Sequence, residues 1–506
     1  MFHDPTLQKI AERFEPHTLY AVGGSVRNAI LKIPPSDIDL AGEPIPEEVM
    51  RLAGDGLTVK PVNPRVGTLL LALDGKEYEY TTFRRDNYDI SGNTGHGFAG
   101  KAARGIEAEN SMPNGAGRYA VCRGIEEENS VPNGAEIRGI EASDFKKGQH
   151  VPNEVVFTND IAEDALRRDF TVNALYYDLK NKRVIDPTGG TEDIKNRILR
   201  TCAAPEKTLG EDGLRLMRLV RFAAEYGFEI ERETYAAAVA HSDLICDISG
   251  ERIRGELVKI LESDESGARR KDAPYRGLKL LSDIGVLGRI VSEFQDCVGY
   301  EQTAKYHKYD VFTHTLYTVA NAPKEIRLSA LFHDIGKPPC FREHGNMHDH
   351  AAYSVEIAKK RLGQDGLKFP IAVVRHTLEL IRHHMFDIDG KTSTNKVRLF
   401  LQENESIALD LAELKRADYA AKGVVGDECD SAEKMKRIFY DMKKEGIPFS
   451  VGELKINGND LKRAGGTGAE IGRALKGVLR ACATEKGLGT YEEQLKRAVM
   501  LLKIES

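Results

Sequence analysis

Two aspartates one residue apart, Asp37 and Asp39 in SDIDL, are the first groups in the chain spaced to do chemistry. In an extended segment residues i and i+2 point to one face, so the two carboxylates stand side by side. Like charges that close repel, and a divalent cation bound through oxygen relieves them. Just upstream, Gly23-Gly24-Ser25 ends the apolar run Leu19-Tyr20-Ala21-Val22. Glycines let backbone N–H groups approach a phosphate closely, and Ser25 and Arg27 place donors next to Gly24. A phosphate seat facing a two-carboxylate metal seat is what nucleotidyl transfer requires. Farther on, Arg215, Arg218 and Arg221 recur every three residues behind Asp212, which lines one side of a helix with guanidiniums. A second chemistry starts at His307 and His314 and continues through adjacent His333-Asp334, then His344, His348, His350 and the pair His383-His384, to Asp418. Imidazole and carboxylate together ligate divalent metals that activate water.

The elements that must hold these groups are written in the periodicity. Leu19 to Val22 reads as a short buried strand, a helical stretch runs on to Pro34-Pro35, and Asp37 to Leu40 reads as a second strand. Residues 57–62, 67–73 and 77–82 read as three more strands, which with the first two make a small mixed sheet backed by helices. Glu77 and Glu79 fall on one face of the last strand, so Glu79 is available as a third acid at the metal seat. DIAEDALRRDFTVNALYYDL, after Asn159, reads as a helix leading into a strand, and residues 211–222 as one continuous helix. ERIRGELVKIL, from Glu251 to Leu261, is amphipathic and is expected to serve packing. His333-Asp334 closes a hydrophobic helix ahead of Gly336-Lys337.

Between Asn87 and Gln149 the composition changes. RGIEAENSMPNGAG from Arg104, RGIEEENSVPNGAE from Arg123 and RGIEAS from Arg138 repeat one another. Such polar sequence buries too little surface to offset ordering entropy and lacks apolar faces for stacking, so a flexible insertion over 93–147 is expected.

With 506 residues the chain can build several domains, and its net charge of −6 confines any RNA-binding basic patch to a local region. Seven cysteines without C-x-x-C pairs exclude a zinc ribbon and argue for reduced thiols. No apolar run is long enough to span a membrane, and the polar start MFHDPTLQKIAERF has no signal-like core, so a cytoplasmic protein without membrane attachment is expected.

The ordered motifs carry a resemblance. GGSVRN followed by DID is similar to motif A of polymerase-beta-like nucleotidyltransferases, and closest to the GG-x-VR-D…D-x-D of class II tRNA nucleotidyltransferases (CCA-adding enzymes) and bacterial poly(A) polymerases. Asn28 departs from it, standing where that family has Asp. Arg167, Arg168, Asp169 and Asn173 match the family's RRD-x-x-x-N. The resemblance implies Arg168 for the triphosphate, and Asp169 and Asn173 for ribose hydroxyls. Glu211-Asp212-x-x-Arg215 matches E-D-x-x-R, which implies that Asp212 and Arg215 form an amino-acid template for the incoming base, with Arg218 and Arg221 toward phosphates. The H…HD…D series resembles HD-domain metal-dependent phosphohydrolases and implies His314, His333, Asp334 and Asp418 as ligands, with His350, His383 and His384 as further candidates for a second metal. The segment from Ile456, including GGTGAEIG, resembles the family's tRNA-gripping tail. A dinucleotide-binding reading of those glycines fails for want of a preceding strand.

The resemblance implies an α+β protein: a polymerase-beta-like nucleotidyltransferase head over 1–200, a helical neck over 201–265, an HD domain over 266–430 and a helical tRNA-binding tail over 431–506. It implies template-independent addition of CMP and AMP from CTP and ATP to a tRNA 3′ end. Mg²⁺ is expected in the head, and Mn²⁺, Ni²⁺, Mg²⁺ or Fe²⁺ in the HD domain. The nearest alternatives are a poly(A) polymerase, an enzyme adding only CC or only A, and an HD phosphohydrolase acting on RNA ends or cyclic phosphates.

Overall fold

The computed structural model describes residues 1–34, 37–88, 154–424 and 429–504, so the repeats lie outside the described residues. The chain divides into two compact units, Met1–Ser292 and Glu293–Ser506.

The first unit is built on a seven-stranded mixed sheet. Its spatial order is Thr58–Asn63, Thr68–Leu73, Lys76–Thr82, Asp39–Gly42, Tyr20–Val22, Tyr176–Asp178, Arg183–Ile185. Only the pairing of Lys76–Thr82 with Asp39–Gly42 is parallel. Alternation along Thr68–Leu73 buries Leu69, Leu71 and Leu73, and Leu7 and Ile10 of the first helix, Pro5–Arg13, and Phe14 just after it are also buried. The second strand starts at Asp39, two residues later than the sequence suggests. The neighbouring strand ends at Val22, opposite Asp39, which leaves Asp37 no ladder partner.

Arg84–Asn87 and Glu154–Phe157 pair antiparallel, so the two flanks of the repeats are strands of one ribbon. Asp160 caps the helix Ile161–Leu166 by accepting from Ala162 N. A helix not foreseen in the sequence, Gly190–Asn196, packs on the turn Thr171–Asn173.

The expected continuous helix over 211–222 is two helices, Pro205–Glu211 and Leu214–Tyr226, broken at Asp212-Gly213. The cause is tertiary. A Cβ on Gly213 would sit 2.5 Å from the Leu244 carbonyl oxygen, so only glycine lets that backbone close on the break. Asp212 is extended there and accepts from Leu214 N at 3.0 Å. Gly250–Leu261 and Ala273–Asp283 pack on Leu214–Tyr226 and complete this unit's helical part.

The second unit is helical. Asp310 caps Val311–Asn321 through Thr313 N, and Arg327–Phe332, Lys337–His344, His350–Leu362, Ile371–His383 and Ala408–Ala420 follow. Gly468–Thr484 and Tyr491–Ile504 form a small core around Leu461, Val478 and Ala498. Of the glycines of GGTGAEIG, Gly465 and Gly466 join the helices Gly458–Arg463 and Gly468–Thr484 and the other two lie in the second helix, with a helix and not a strand before them. Cys202, Cys297, Cys340, Cys429 and Cys482 are free thiols. No helix among the described residues is long and apolar enough to cross a membrane.

Candidate active and metal sites

A cavity of about 490 Å³ opens in the first unit where the strand Tyr20–Val22 ends. Of the residues singled out in the sequence, Gly24, Arg27, Asp39, Arg168, Asp169, Asn173, Asp212, Arg215 and Arg218 line it; Ser25, Asp37 and Arg221 do not. Gly23 turns the chain at φ 70°, where a side chain would be strained, and a Cβ there would meet Arg168 Nη1 at 3.5 Å.

Ser25 turns inward and donates to the Val22 carbonyl. Arg27 is buried and donates to Asn173 Oδ1 at 2.5 Å, to Asn28 Oδ1 and to the Tyr226 hydroxyl, with its face 4.1 Å from the Tyr226 ring. Burial lowers its pKa. These two side chains mainly fix the turn against Asn173 and Tyr226.

Asp164, fully buried, organises the far wall. It accepts from Arg167, Arg168, the Tyr176 hydroxyl and Arg84 N. Burial opposes its ionisation, but Arg168 and Arg167 outweigh that and hold its pKa down to about 2. Beside it, Asp169 receives Arg218 through two bonds of 2.8 and 2.5 Å to Oδ2, and Asn173 Nδ2 at 3.2 Å to Oδ1. Burial again raises and Arg218 lowers, leaving Asp169 at about 2.

The three helix arginines diverge. Arg215 is buried and donates to Glu211, the Thr208 carbonyl and the Arg167 carbonyl. Arg218 is on Asp169. Arg221 turns to Glu256 at 2.7 Å. Asp212 accepts from Arg252 Nη2 at 2.8 Å. Arg252 also lines the cavity, and the sequence reading passed over it because its helix looked like packing. Asp164 and Tyr226 were missed for a similar reason, since nothing local marks a buried acid or phenol as a hub.

Asp39 stands at the cavity mouth. Its crowded carboxylate has a raised pKa, from burial first and from the charge of Asp37, with Arg168 opposing. Glu79 lies on the adjoining strand, next to the register pair Leu40–Tyr80, and is raised by burial and by Asp39. Three acids thus gather around the start of the strand Asp39–Gly42, in the middle of the sheet.

The second unit gathers the histidines. Ligand atoms of His314, His333, Asp334 and Asp418 lie within 4.8 Å of one another, and so do those of Asp334, His350 and His384. His314, His333, His350 and His384 each set Nδ1 on a backbone carbonyl, those of Ala421, Ala330, Met347 and Ile381. A carbonyl only accepts, so Nδ1 carries the proton and each Nε2 offers a lone pair. His350 Nε2 and His384 Nε2 face each other at 3.0 Å. His314 Nε2 and His333 Nε2 are buried with no hydrogen-bond partner among the described residues, although Asp418 Oδ1 is 2.9 Å from the first and Asp334 Oδ2 is 3.1 Å from the second. Buried lone pairs converging without a donor fit a divalent cation. Burial lowers the His333 pKa, but Asp334 and Asp418 outweigh it and raise it to about 10, so the two carboxylates draw positive charge to Nε2, a proton or a metal ion in its place. Lys337 donates to Asp334 Oδ2 at 2.6 Å. His383 is not part of the cluster: its ring packs on Phe400 and its Nε2 is 3.6 Å from Glu379.

Comparison with known proteins places the chain in a lineage. A family model described as the poly A polymerase head domain matches residues 19–98 and 112–200. One for a probable RNA and SrmB-binding site of polymerase A matches 227–297, and the HD domain matches 309–423. The CC-adding tRNA nucleotidyltransferase of Thermus thermophilus is 33% identical over 66% of this chain and 76% of its own. The CCA-adding enzyme of Geobacillus stearothermophilus is 31% identical over 53% of this chain, which spans about half of that relative's length. The crystal structure of the Bacillus stearothermophilus CCA-adding enzyme in complex with CTP matches 99% of both chains at a TM-score of 0.63 and 22% identity, a likeness of fold.

Proposed function

Because the chain belongs to the family of tRNA nucleotidyltransferases and bacterial poly(A) polymerases, we propose that it extends the 3′ end of tRNA without a template, adding CMP and AMP from CTP and ATP. The observation that carries this reading is the head cavity, in which six arginines and three aspartates surround a space with Asp39 at its mouth. A surplus of guanidinium suits a triphosphate. Gly24 and Arg168 receive the triphosphate, Asp169 and Asn173 the ribose hydroxyls, and Asp212 and Arg215 the base. Ser25, Arg27, Arg218 and Arg221 hold these groups in place. Cytosine and adenine both show an exocyclic amine beside a ring acceptor, so a carboxylate beside a guanidinium suits either and clashes with uracil or guanine. Asp37 and Asp39, with Glu79 alongside, hold Mg²⁺. When bound, such an ion aligns the 3′-hydroxyl with the α-phosphorus and neutralises the departing pyrophosphate.

The second unit is a metal-dependent phosphohydrolase in this reading. His314, His333, Asp334 and Asp418 hold one ion, chosen from Mn²⁺, Ni²⁺, Mg²⁺ or Fe²⁺, and Asp334, His350 and His384 hold a second. Asp334 serves both groups, Oδ2 facing His333 and Oδ1 facing His350 at 3.1 Å each.

The test supplies tRNA lacking its last three nucleotides, tRNA ending in CC and tRNA ending in CCA with each labelled triphosphate in turn. Addition of C to the first, A to the second and nothing to the third is expected. Addition of C without A supports a second reading, CC addition alone, which the Thermus relative favours. Use of ATP alone marks a poly(A) polymerase. Hydrolysis of cyclic or terminal phosphates with no incorporation overturns the reading for the head.

A further inference from the structure

We infer that the loop from Tyr300 to Asp310 is the substrate platform of the histidine cluster: Tyr306 stacks a nucleobase and His307 faces the phosphate, so the second unit prefers phosphates carried by nucleosides. This rests on the phosphohydrolase reading of that unit. The loop runs from the helix Glu293–Cys297 to the helix Val311–Asn321 and is fastened to the cluster at three points. Gln302 Oε1 accepts from Lys337 Nζ at 2.7 Å, and the same ammonium holds Asp334 Oδ2 at 2.6 Å. The His307 ring stands nearly perpendicular to that of His314, with 4.9 Å between their centres. Lys308 N donates to the Lys422 carbonyl at 2.9 Å, and Lys422 Nζ lies 3.9 Å from Asp418 Oδ2. Gly423, at φ 68°, lets the backbone beyond the Asp418 helix close on the loop, since a Cβ there would meet the Tyr309 ring at 2.7 Å.

That fastening leaves two adjacent groups unused. His307 Nδ1 is buried and has no hydrogen-bond partner among the described residues, an unmet polar atom that a phosphate oxygen or hydroxyl would satisfy. Tyr306, the residue before it, is 55% exposed, and Lys305 Nζ lies 5.1 Å from the centre of its ring. Lys305 and Lys308, on either side of the pair, are both exposed. A bare phosphate needs only the cations. An exposed aromatic ring between lysines, one residue from a group on the metal cluster, suits a nucleotide, because every base has a π-face to stack and a charged backbone to neutralise. Consecutive Cα atoms are about 3.8 Å apart, so side chains diverging from neighbouring positions can meet the base and the phosphate of one nucleotide. Hydrolysis consumes only water: its oxygen bonds to phosphorus, one ribose P–O bond breaks, and the ribose oxygen leaves with the proton.

The experiment measures hydrolysis by the full chain with Mn²⁺, determining kcat and KM separately for adenosine 2′,3′-cyclic phosphate and for the 2,3-cyclic phosphate of methyl riboside, which has no base. The unaltered chain is expected to show a KM about ten- to a hundredfold lower for the adenosine compound. Tyr306→Ala is expected to erase that difference by raising only the adenosine KM, and Tyr306→Phe to restore it. His307→Ala is expected to weaken both substrates alike while the metal content, read by elemental analysis, stays at the wild-type level. Tyr440→Ala, an exposed ring on the helix Asp430–Lys444, is expected to change nothing. A trinucleotide ending in the same cyclic phosphate forms the second arm. Its hydrolysis at a similar KM supports a platform serving RNA ends as well as free nucleotides, and its rejection supports one serving free nucleotides. Equal KM values for the two small substrates in the unaltered chain overturn the inference whether or not any variant folds. So does an adenosine preference that survives in Tyr306→Ala, and loss of metal in His307→Ala would make that residue a prop for His314 instead of a substrate contact. Failure of the metal-loaded, unaltered chain to hydrolyse either compound overturns the phosphohydrolase reading itself, a different result from hydrolysis without base preference.

Discussion

The head cavity and the histidine cluster solve opposite electrostatic problems with the same kinds of side chain. Around the cavity, six arginines face three aspartates, so donors exceed acceptors and the space suits an anion, although the whole chain is negative. In the histidine cluster, backbone carbonyls take the imidazole N–H groups and leave Nε2 lone pairs converging on two carboxylates, so acceptors exceed donors and the space suits a cation. The lesson is that local charge follows from what the surrounding backbone and helices absorb. Asp169 and Asp334 are both buried acids held low, the one by the guanidinium of Arg218 and the other by His333 and Lys337, each working against burial.

The sharpest break in the comparison is by activity. Asp37→Asn or Asp39→Asn is expected to reduce nucleotide addition by about 10³-fold or more, since a lost metal carboxylate removes several kcal/mol of charge stabilisation. Hydrolysis of a generic phosphodiester by the second unit should be unaffected, and Asp334→Asn should give the reverse pattern. Parallel loss of both activities in a folded variant would dissolve the two-site description.

Next in size is the arginine wall. Asp164→Ala leaves Arg167 and Arg168 without their shared buried partner and is expected to destabilise the head by about 3–5 kcal/mol, read as an earlier urea transition. The pH dependence follows from the same bonds. Folding lowers the pKa of Asp164 from 3.8 to about 2, so its stabilisation is fully present above pH 4 and disappears as the pH falls toward 2. Acid unfolding of Asp164→Asn should therefore be flatter across that window. An unchanged acid limb would assign the stability to other carboxylates.

On the cation side, Mn²⁺ at about a hundred times its dissociation constant is expected to stabilise the second unit by about 2.7 kcal/mol. The His350→Ala, His384→Ala double variant should reduce bound metal from two ions to one per chain by elemental analysis. Two ions retained in that variant would refute the shared role of Asp334.

Much of both candidate sites was legible because local spacing and matched motifs carried it. Asp37 and Asp39 stand out by spacing, whereas Asp169 and Asn173, and His314, His333, Asp334 and Asp418, were singled out by the family motifs they match. What was hidden depended on contacts distant in sequence. The helix break at Asp212-Gly213 exists because the Leu244 carbonyl closes on it, and nothing within 211–222 announces that. Arg252 looked like one more charge on an amphipathic helix, since only the fold brings it to Asp212. His383 and His384 are equivalent to a reader of sequence, but neighbours at a helix end point in different directions. One packs on Phe400 and the other faces His350.

The smallest expected effect probes the one visible departure from the resembled motif. Asn28 stands where that motif has Asp, and it accepts from Arg27 Nε at 3.1 Å and from Nη2 at 2.9 Å. Arg27 also reaches Asn173 and Tyr226, all neutral acceptors, and burial lowers its pKa. Asn28→Asp would supply that buried cation with an anion without changing the side chain's shape. A charge-assisted bond contributes more than a neutral one, but the new carboxylate must also shed water. The first term should prevail because Asn28 is only partly buried, giving a gain of about 0.5–1 kcal/mol and a slightly higher melting temperature of the head. Nucleotide addition should change less than twofold, because Arg27 holds its place through Asn173 and Tyr226 in either case. A lower melting temperature would show that desolvation outweighs pairing at this position. The cavity would then be less tolerant of added negative charge than its arginine surplus implies, which would bring the two regions closer in character.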